Sequence, residues 1–255
     1  MRLKGQVALV TGGGTGIGQG ISTAFAREGA SIAVNYQKSK EKAEGTVRRI
    51  RESGGQAMAV QADVRREADC KRLVDEVVRE WGRLDVLVNN AGWTTPVSHG
   101  DLEALTDDIW RKVLDTNVMG AWYCIKHAAP VMRGQGHGVI INITSVAAFS
   151  GKGSSMAYAA SKAALGSLTR SLARALGPAI RVKAIAPGLV DTDFVGWPAS
   201  VLEAGRQEVA TPGLPTPEDC GEAALFLAAE ARATTGTTIF VDGGVIPLQP
   251  RAPSR

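Results

Sequence analysis

Along the chain, short runs of aliphatic and β-branched residues alternate with longer stretches whose apolar positions recur at helical spacing. The short runs fall at 6–11, 31–36, 57–61, 85–89, 139–145, 181–187 and 237–241, which predicts seven strands. Helical patterns lie near 17–29, 39–53, 66–81, 103–133, 156–176 and 218–230. Strands separated by helices need crossover connections, so the pattern implies an α/β fold with a parallel sheet covered on both faces. The runs Val7-Ala-Leu-Val10, Val86-Leu-Val88 and Val139-Ile-Ile141 show no alternation, as expected of strands buried on both sides. Residues 1–246 show no linker or repeat and read as one domain. Residues 188–216 break the rhythm with Gly196, Pro198, Pro212, Gly213 and Pro215, and are expected to form an irregular substrate lid. Prolines 247, 250 and 253 mark 247–255 as an extended or disordered tail.

Composition narrows the function classes. Lys plus Arg number 29 against 25 Asp plus Glu, a net charge of +4 with no basic block, so a nucleic-acid surface is not indicated. The uncharged stretch at 138–151 contains Asn142 and falls short of the ~20 apolar residues of a membrane helix. Arg2 and Lys4 precede only four apolar residues, Val7 to Val10, before three glycines, too few for a signal peptide. The expectation is a cytoplasmic protein with no membrane or nucleic-acid partner. Cys70, Cys124 and Cys220 have no paired spacing, and His99, His127 and His137 form no ligand pattern, so no metal or disulfide is expected. Glycine is the outlier, at 30 of 255 residues.

The most informative glycines form Thr11-Gly12-Gly13-Gly14-Thr15-Gly16-Ile17-Gly18, directly after the first strand and at the start of a helix. In that position Gly12 permits a tight turn, Gly16 a close approach to phosphates, and Gly18 close packing of helix on sheet. The free amides of the helix start complete an anion cradle, the signature of a Rossmann-type dinucleotide site. A phosphate-hydrolysing loop would end in Gly-Lys-Ser or Gly-Lys-Thr, whereas this turn ends Gly16-Ile17-Gly18-Gln19. Where NAD sites place an acid on the ribose, the second strand ends Asn35-Tyr36-Gln37-Lys38. A neutral Asn35 and a basic Lys38 favour NADP(H), with NAD(H) the alternative.

Tyr158 and Lys162 are four residues apart on a predicted helix and share a face. An ammonium ~4 Å away at an effective dielectric of ~20 favours a phenolate by roughly 4 kcal/mol, enough to bring a phenol from ~10 towards ~7 before desolvation opposes it. Ser145, at the carboxyl end of the fifth strand, can donate to a carbonyl oxygen.

Together with Asn89-Asn90-Ala91-Gly92 and Tyr158-Ala-Ala-Ser-Lys162, the glycine turn resembles the short-chain dehydrogenase/reductase family over almost the whole chain. Asp63-Val64, Thr116-Asn117-Val118, Ser145, Pro187-Gly188 and Val241-Asp242-Gly243-Gly244 continue the match in order. The nearest likeness is to the single-domain branch with 3-oxoacyl-carrier-protein reductases and glucose 1-dehydrogenases. The resemblance implies a seven-stranded, doubly wound fold and hydride transfer between NADP(H) and a ketone or secondary alcohol. Catalysis would rest on Asn117, Ser145, Tyr158 and Lys162, with Asn117 supporting a water relay and Lys162 also holding the nicotinamide ribose. Cofactor contacts would come from Gly12, Thr15, Gly16, Ile17, Gly18, Asn35, Tyr36, Lys38, Asp63, Val64, Asn90, Ala91 and Gly92, with Pro187, Gly188, Val190 and Thr192 at the carboxamide end. Substrate would meet Trp93, Thr94, Ala147, Ser155, Leu189, Phe194 and Trp197 beside Ser145 and Tyr158. A homotetramer or dimer is implied, with Trp122, His127, Leu168 and Leu172 as interface candidates. The chain departs from the family at 212–218, which lacks the usual arginine. Two rival readings use the same fold: a sugar dehydrogenase working oxidatively, and a nucleotide-binding protein without turnover.

Overall fold

A computed structural model describes residues 1–246, so the proline-bearing tail lies outside the described residues. The strands are β1 (Val7–Val10), β2 (Ser31–Tyr36), β3 (Ala57–Gln61), β4 (Val86–Asn89), β5 (Gly138–Ile143), β6 (Ile180–Pro187) and β7 (Thr238–Val241). The helices are α1 (Gly16–Arg27), α2 (Lys40–Glu52), α3 (Glu67–Trp81), α4 (Asp107–Leu114), α5 (Gly120–Gln135), α6 (Ala147–Ser150), α7 (Met156–Leu176), α8 (Ala199–Glu208) and α9 (Pro217–Ala229). All seven strands are parallel, in the order β3-β2-β1-β4-β5-β6-β7. The winding direction reverses between β1 and β4, and the crevice at that switch point is where such sheets hold ligands.

The uninterrupted apolar strands are buried on both faces, as their sequence requires. One core layer packs Ile21, Phe25 and Leu225 of α1 and α9 on the sheet, the other Leu73, Val77, Ile125 and Met132 of α3 and α5. Helices α1 and α9 approach so closely that a Cβ on Gly20 would stand 2.1 Å from the Pro217 carbonyl oxygen. This contact fixes the helix that carries the glycine turn.

Three features differ from the expected pattern. The long helix at 103–133 begins only at Asp107 and is interrupted by a π-helical turn, Asp115–Met119, which a 3.6-residue periodicity cannot reveal. The segment 188–216 is not wholly irregular, because it contains α8, although none of that helix's residues is buried. Leu172 is 7% exposed within the core and so is not a surface candidate for subunit contact. Among the described residues no helix is long and apolar enough to cross a membrane.

Candidate functional site

A cavity of about 770 Å³ opens along the carboxyl ends of the strands, from β3 to β6. At one end lies the glycine turn. Gly12 and Gly16 take positive φ values of 61° and 48°, a backbone that side chains resist. Gly18 has no room for a Cβ, which would stand 2.3 Å from the Gly12 carbonyl oxygen. Thr11 ties the turn to the next strand: its Oγ1 accepts from the Asn90 and Ala91 amides at 2.9 and 3.0 Å. The Asn90 side chain donates back to the Thr11 and Gly12 carbonyl oxygens at 2.9 and 3.2 Å.

Asn35 lines the cavity, as expected, and is also engaged from behind. Its side chain is 2% exposed and fully used: Oδ1 accepts from the Gly12 amide at 3.2 Å, while Nδ2 donates to the Val60 and Ala62 carbonyls at 3.3 and 3.1 Å. It braces the turn against β2 and β3 instead of presenting a free amide. The lining beyond it comes from Tyr36, Gln37, Lys38, Ser39 and Lys42, followed by Asp63, Val64 and Arg65. Arg65, not anticipated from sequence, forms an ion pair with Asp63 at 2.6 Å, and that guanidinium holds the Asp63 carboxyl below its usual range.

At the other end stand Ser145 after β5 and Tyr158 and Lys162 on α7, all lining the cavity with Ala147, Leu189 and Trp93. Pro187, Gly188, Val190 and Thr192 line it from the segment after β6, as do Thr15, Ile17, Ala91 and Gly92 from the turn side. Phe194 tilts towards Tyr158, with ring centroids 6.2 Å apart. Lys162 lies 5.6 Å from the centre of the Tyr158 ring and donates to the Ile143 carbonyl at 2.8 Å.

The electrostatics reverse one sequence expectation. Burial of the phenol pushes Tyr158 up to about 12, with the Ser145 hydroxyl opposing, so Lys162 does not bring it towards neutrality here. Lys162 is itself pulled down to about 8 by burial. With the ammonium turned to a backbone carbonyl, the desolvation of the phenolate dominates. The site therefore presents a protonated phenol beside a cation and a hydroxyl, a set suited to giving a proton to an oxygen that gains negative charge.

Three predicted site residues stand behind the cavity wall and do not line it. Asn117, 1% exposed on the π-helical turn, accepts from the Trp93 amide at 2.7 Å through Oδ1 and donates to the Trp93 carbonyl and Ser161 Oγ at 3.1 and 3.0 Å. Its side-chain amide is thus fully engaged with protein partners. Ser155 caps α7, its Oγ accepting from the Tyr158 amide at 3.2 Å. Thr94 pairs its hydroxyl with that of Ser154 at 2.6 Å. Sequence reasoning also missed Lys112, whose Nζ lies 3.8 Å from the centre of the Trp93 ring, and Lys152, Thr116 and Ser154 on the lining. The one-turn spacing of Lys112 from Thr116 was the only available signal.

Comparison with known proteins agrees with this geometry. The family described as enoyl-(acyl carrier protein) reductase matches residues 12–246. A Streptomyces violaceoruber protein described as ketoacyl reductase 2 of the granaticin polyketide synthase is 43% identical over 241 residues, covering 93% of this chain and 95% of that one. The Staphylococcus aureus 3-oxoacyl-[acyl-carrier-protein] reductase is 39% identical over 241 residues, 93% of this chain and 97% of its own. A Burkholderia cenocepacia short-chain dehydrogenase solved in complex with NADP superposes with a TM-score of 0.89 at 37% identity, covering 96% of this chain and 99% of that one. A 7α-hydroxysteroid dehydrogenase, solved with NADH and 7-oxoglycochenodeoxycholic acid, gives 0.87 at 36% identity over 95% of both chains.

Proposed function

Because this chain belongs to the short-chain dehydrogenase/reductase family, an oxidoreductase family acting on CH–OH and C=O groups, we propose that it is a carbonyl reductase whose chemistry is carried by Ser145, Tyr158 and Lys162. The observation that carries the reading is a half-buried phenol facing the same cavity as Ser145 and Lys162, at the end opposite the glycine turn.

The fit to a nicotinamide dinucleotide rests on the turn itself, where positive φ at Gly12 and Gly16 and the excluded Cβ of Gly18 leave backbone amides open to a pyrophosphate. When bound, the cofactor supplies the hydride at nicotinamide carbon four. The Ser145 hydroxyl donates to the substrate carbonyl oxygen and orients it. As that oxygen gains charge, the Tyr158 phenol gives it a proton, yielding the secondary alcohol and a phenolate. The Lys162 ammonium, anchored on the Ile143 carbonyl, stabilises that phenolate. The ketoacyl and 3-oxoacyl reductases among the relatives support reduction over oxidative sugar dehydrogenation.

We further assign the cofactor as NADP(H). Lys38 lines the cavity at the end of β2, no carboxylate stands between Asn35 and Lys38, and the Asp63 charge is neutralised by Arg65. The solved relatives hold NADP in one case and NADH in the other, so the preference rests on these residues. Residues 188–216 act as the substrate lid. A homo-oligomer is proposed from the family, with Trp122, 37% exposed on α5, as a candidate contact. A cytoplasmic setting accords with three free cysteines, two of them, Cys70 and Cys124, only 3.6 Å apart at sulfur.

The test is Tyr158→Phe with NADPH and a panel of ketones. The expected loss of turnover is roughly 10²- to 10⁴-fold with cofactor affinity retained. Retained turnover refutes the assignment, and cofactor binding without consumption by the unaltered protein favours a non-catalytic role.

A further inference from the structure

Tyr158 is held by more than its helix. Its main-chain amide donates to Ser155 Oγ at 3.2 Å, and its carbonyl accepts from Ser161 Oγ at 2.7 Å. Both serines are wholly buried. Ser161 also accepts from Asn117 Nδ2, and the Asn117 amide grips the Trp93 main chain at both its N–H and its C=O. A continuous chain of buried and part-buried hydrogen bonds thus runs from the Trp93 wall through the π-helical turn to the backbone of Tyr158. Every polar atom named in it has a protein partner, and fully satisfied buried networks of this kind fix one geometry.

The π-helical turn gives this chain its reach. A regular helix through 115–119 would advance by 3.6 residues per turn, whereas the wider turn places Asn117 where its amide meets both Trp93 and Ser161. Gly92, next to Trp93, lies against the same groups: a Cβ there would stand 3.4 Å from Asn117 Oδ1 and 3.7 Å from Lys162 Nζ. The substrate wall and the proton donor are therefore braced against one another through a single hydroxyl, that of Ser161.

We propose that Ser161 is a positioning residue for catalysis, which sets the placement of Tyr158 relative to the Trp93 wall. The inference rests on Tyr158 being the proton donor. It predicts that loss of the Ser161 hydroxyl slows the chemical step without weakening the cofactor, since the glycine turn is braced separately through Thr11, Asn35 and Asn90. Small displacements of a reacting group are costly, so Ser161→Ala is expected to lower kcat about tenfold or more.

The experiment measures kcat, the KM for ketone and the dissociation constant for NADPH in Ser161→Ala, Asn117→Ala and the double variant, with thermal unfolding of each. If the two residues act as one unit, kcat of the double variant is close to that of Asn117→Ala alone, and cofactor affinity stays within about twofold in Ser161→Ala. Ser161→Thr, which keeps the hydroxyl, recovers part of kcat. Wild-type kcat in Ser161→Ala overturns the proposal, as do losses that multiply in the double variant. A fall in cofactor affinity that matches the fall in kcat also overturns it, since it marks general distortion. Should Tyr158→Phe keep its turnover, the catalytic reading fails first; should Tyr158→Phe be inactive and Ser161→Ala normal, only the positioning role fails.

Discussion

Across the cavity, the glycine turn and the segment after β6 come within contact of each other, since a Cβ on Gly16 would stand 3.3 Å from Thr192 Cγ2. Their construction differs. The turn is held from behind by Asn35, Thr11 and Asn90, and added Cβ atoms on its glycines would meet close neighbours. In the facing segment α8 buries no residue, Phe194 is 48% exposed, and added Cβ atoms at Gly196 and Gly213 would meet nothing within 4 Å. One wall is thus made for a constant ligand. The other tolerates change, which is how a single reaction is adapted to different ketones.

The comparison breaks most sharply at glycine. Gly18→Ala is expected to weaken NADPH binding by more than about 100-fold, because the Gly12 carbonyl and the Asn90 side chain must both yield, and fluorescence titration will read it. Gly213→Ala is the counterpart in the facing segment and is expected to change stability by less than about 0.5 kcal/mol.

Asn35→Ala removes the brace behind the glycine turn. It leaves the Gly12 amide and the Val60 and Ala62 carbonyls short of a partner, a loss of roughly 2–3 kcal/mol by denaturant unfolding. The ratio of NADPH to NADH affinity should not move. That ratio should instead fall about fivefold to tenfold in Lys38→Gln, as for loss of one partly solvated charge against a phosphate.

At the reacting end, pH sharpens the contrast. Lys162 is lowered to about 8, so its charge is present below that value and lost above it. Tyr158 stays protonated across the same range, since its value lies near 12. Reduction is therefore expected to hold level up to about pH 8 and then to fall, by as much as tenfold per unit, as the cation that stabilises the phenolate disappears. A rise in kcat for reduction between pH 8 and 10 would contradict this assignment.

Much of the site was readable because it is local. The glycine turn, Tyr158 with Lys162, and Ser145 at a strand end are short motifs whose spacing already implies geometry. What escaped reading depends on partners distant in the chain. Asn35 lines the cavity as its place near the end of β2 suggests, but its bonds to Gly12, Val60 and Ala62 were not readable. Ser155 lies close to Tyr158 in sequence and is a helix cap. Lys183 sits in what reads as an ordinary strand, but it is completely buried and caps the end of α9 through the Leu227 and Ala231 carbonyls.

The sequence alone determined the α/β class, the seven strands, the glycine turn and the candidate side chains Ser145, Tyr158 and Lys162, because backbone period and motif spacing are properties of adjacent residues. Only the tertiary structure decided the desolvation of Tyr158 and Lys162, the π-helical turn and the hidden brace behind it. Those depend on how much water folding removes and on which groups it brings together from across the chain, and neither is written in any one segment.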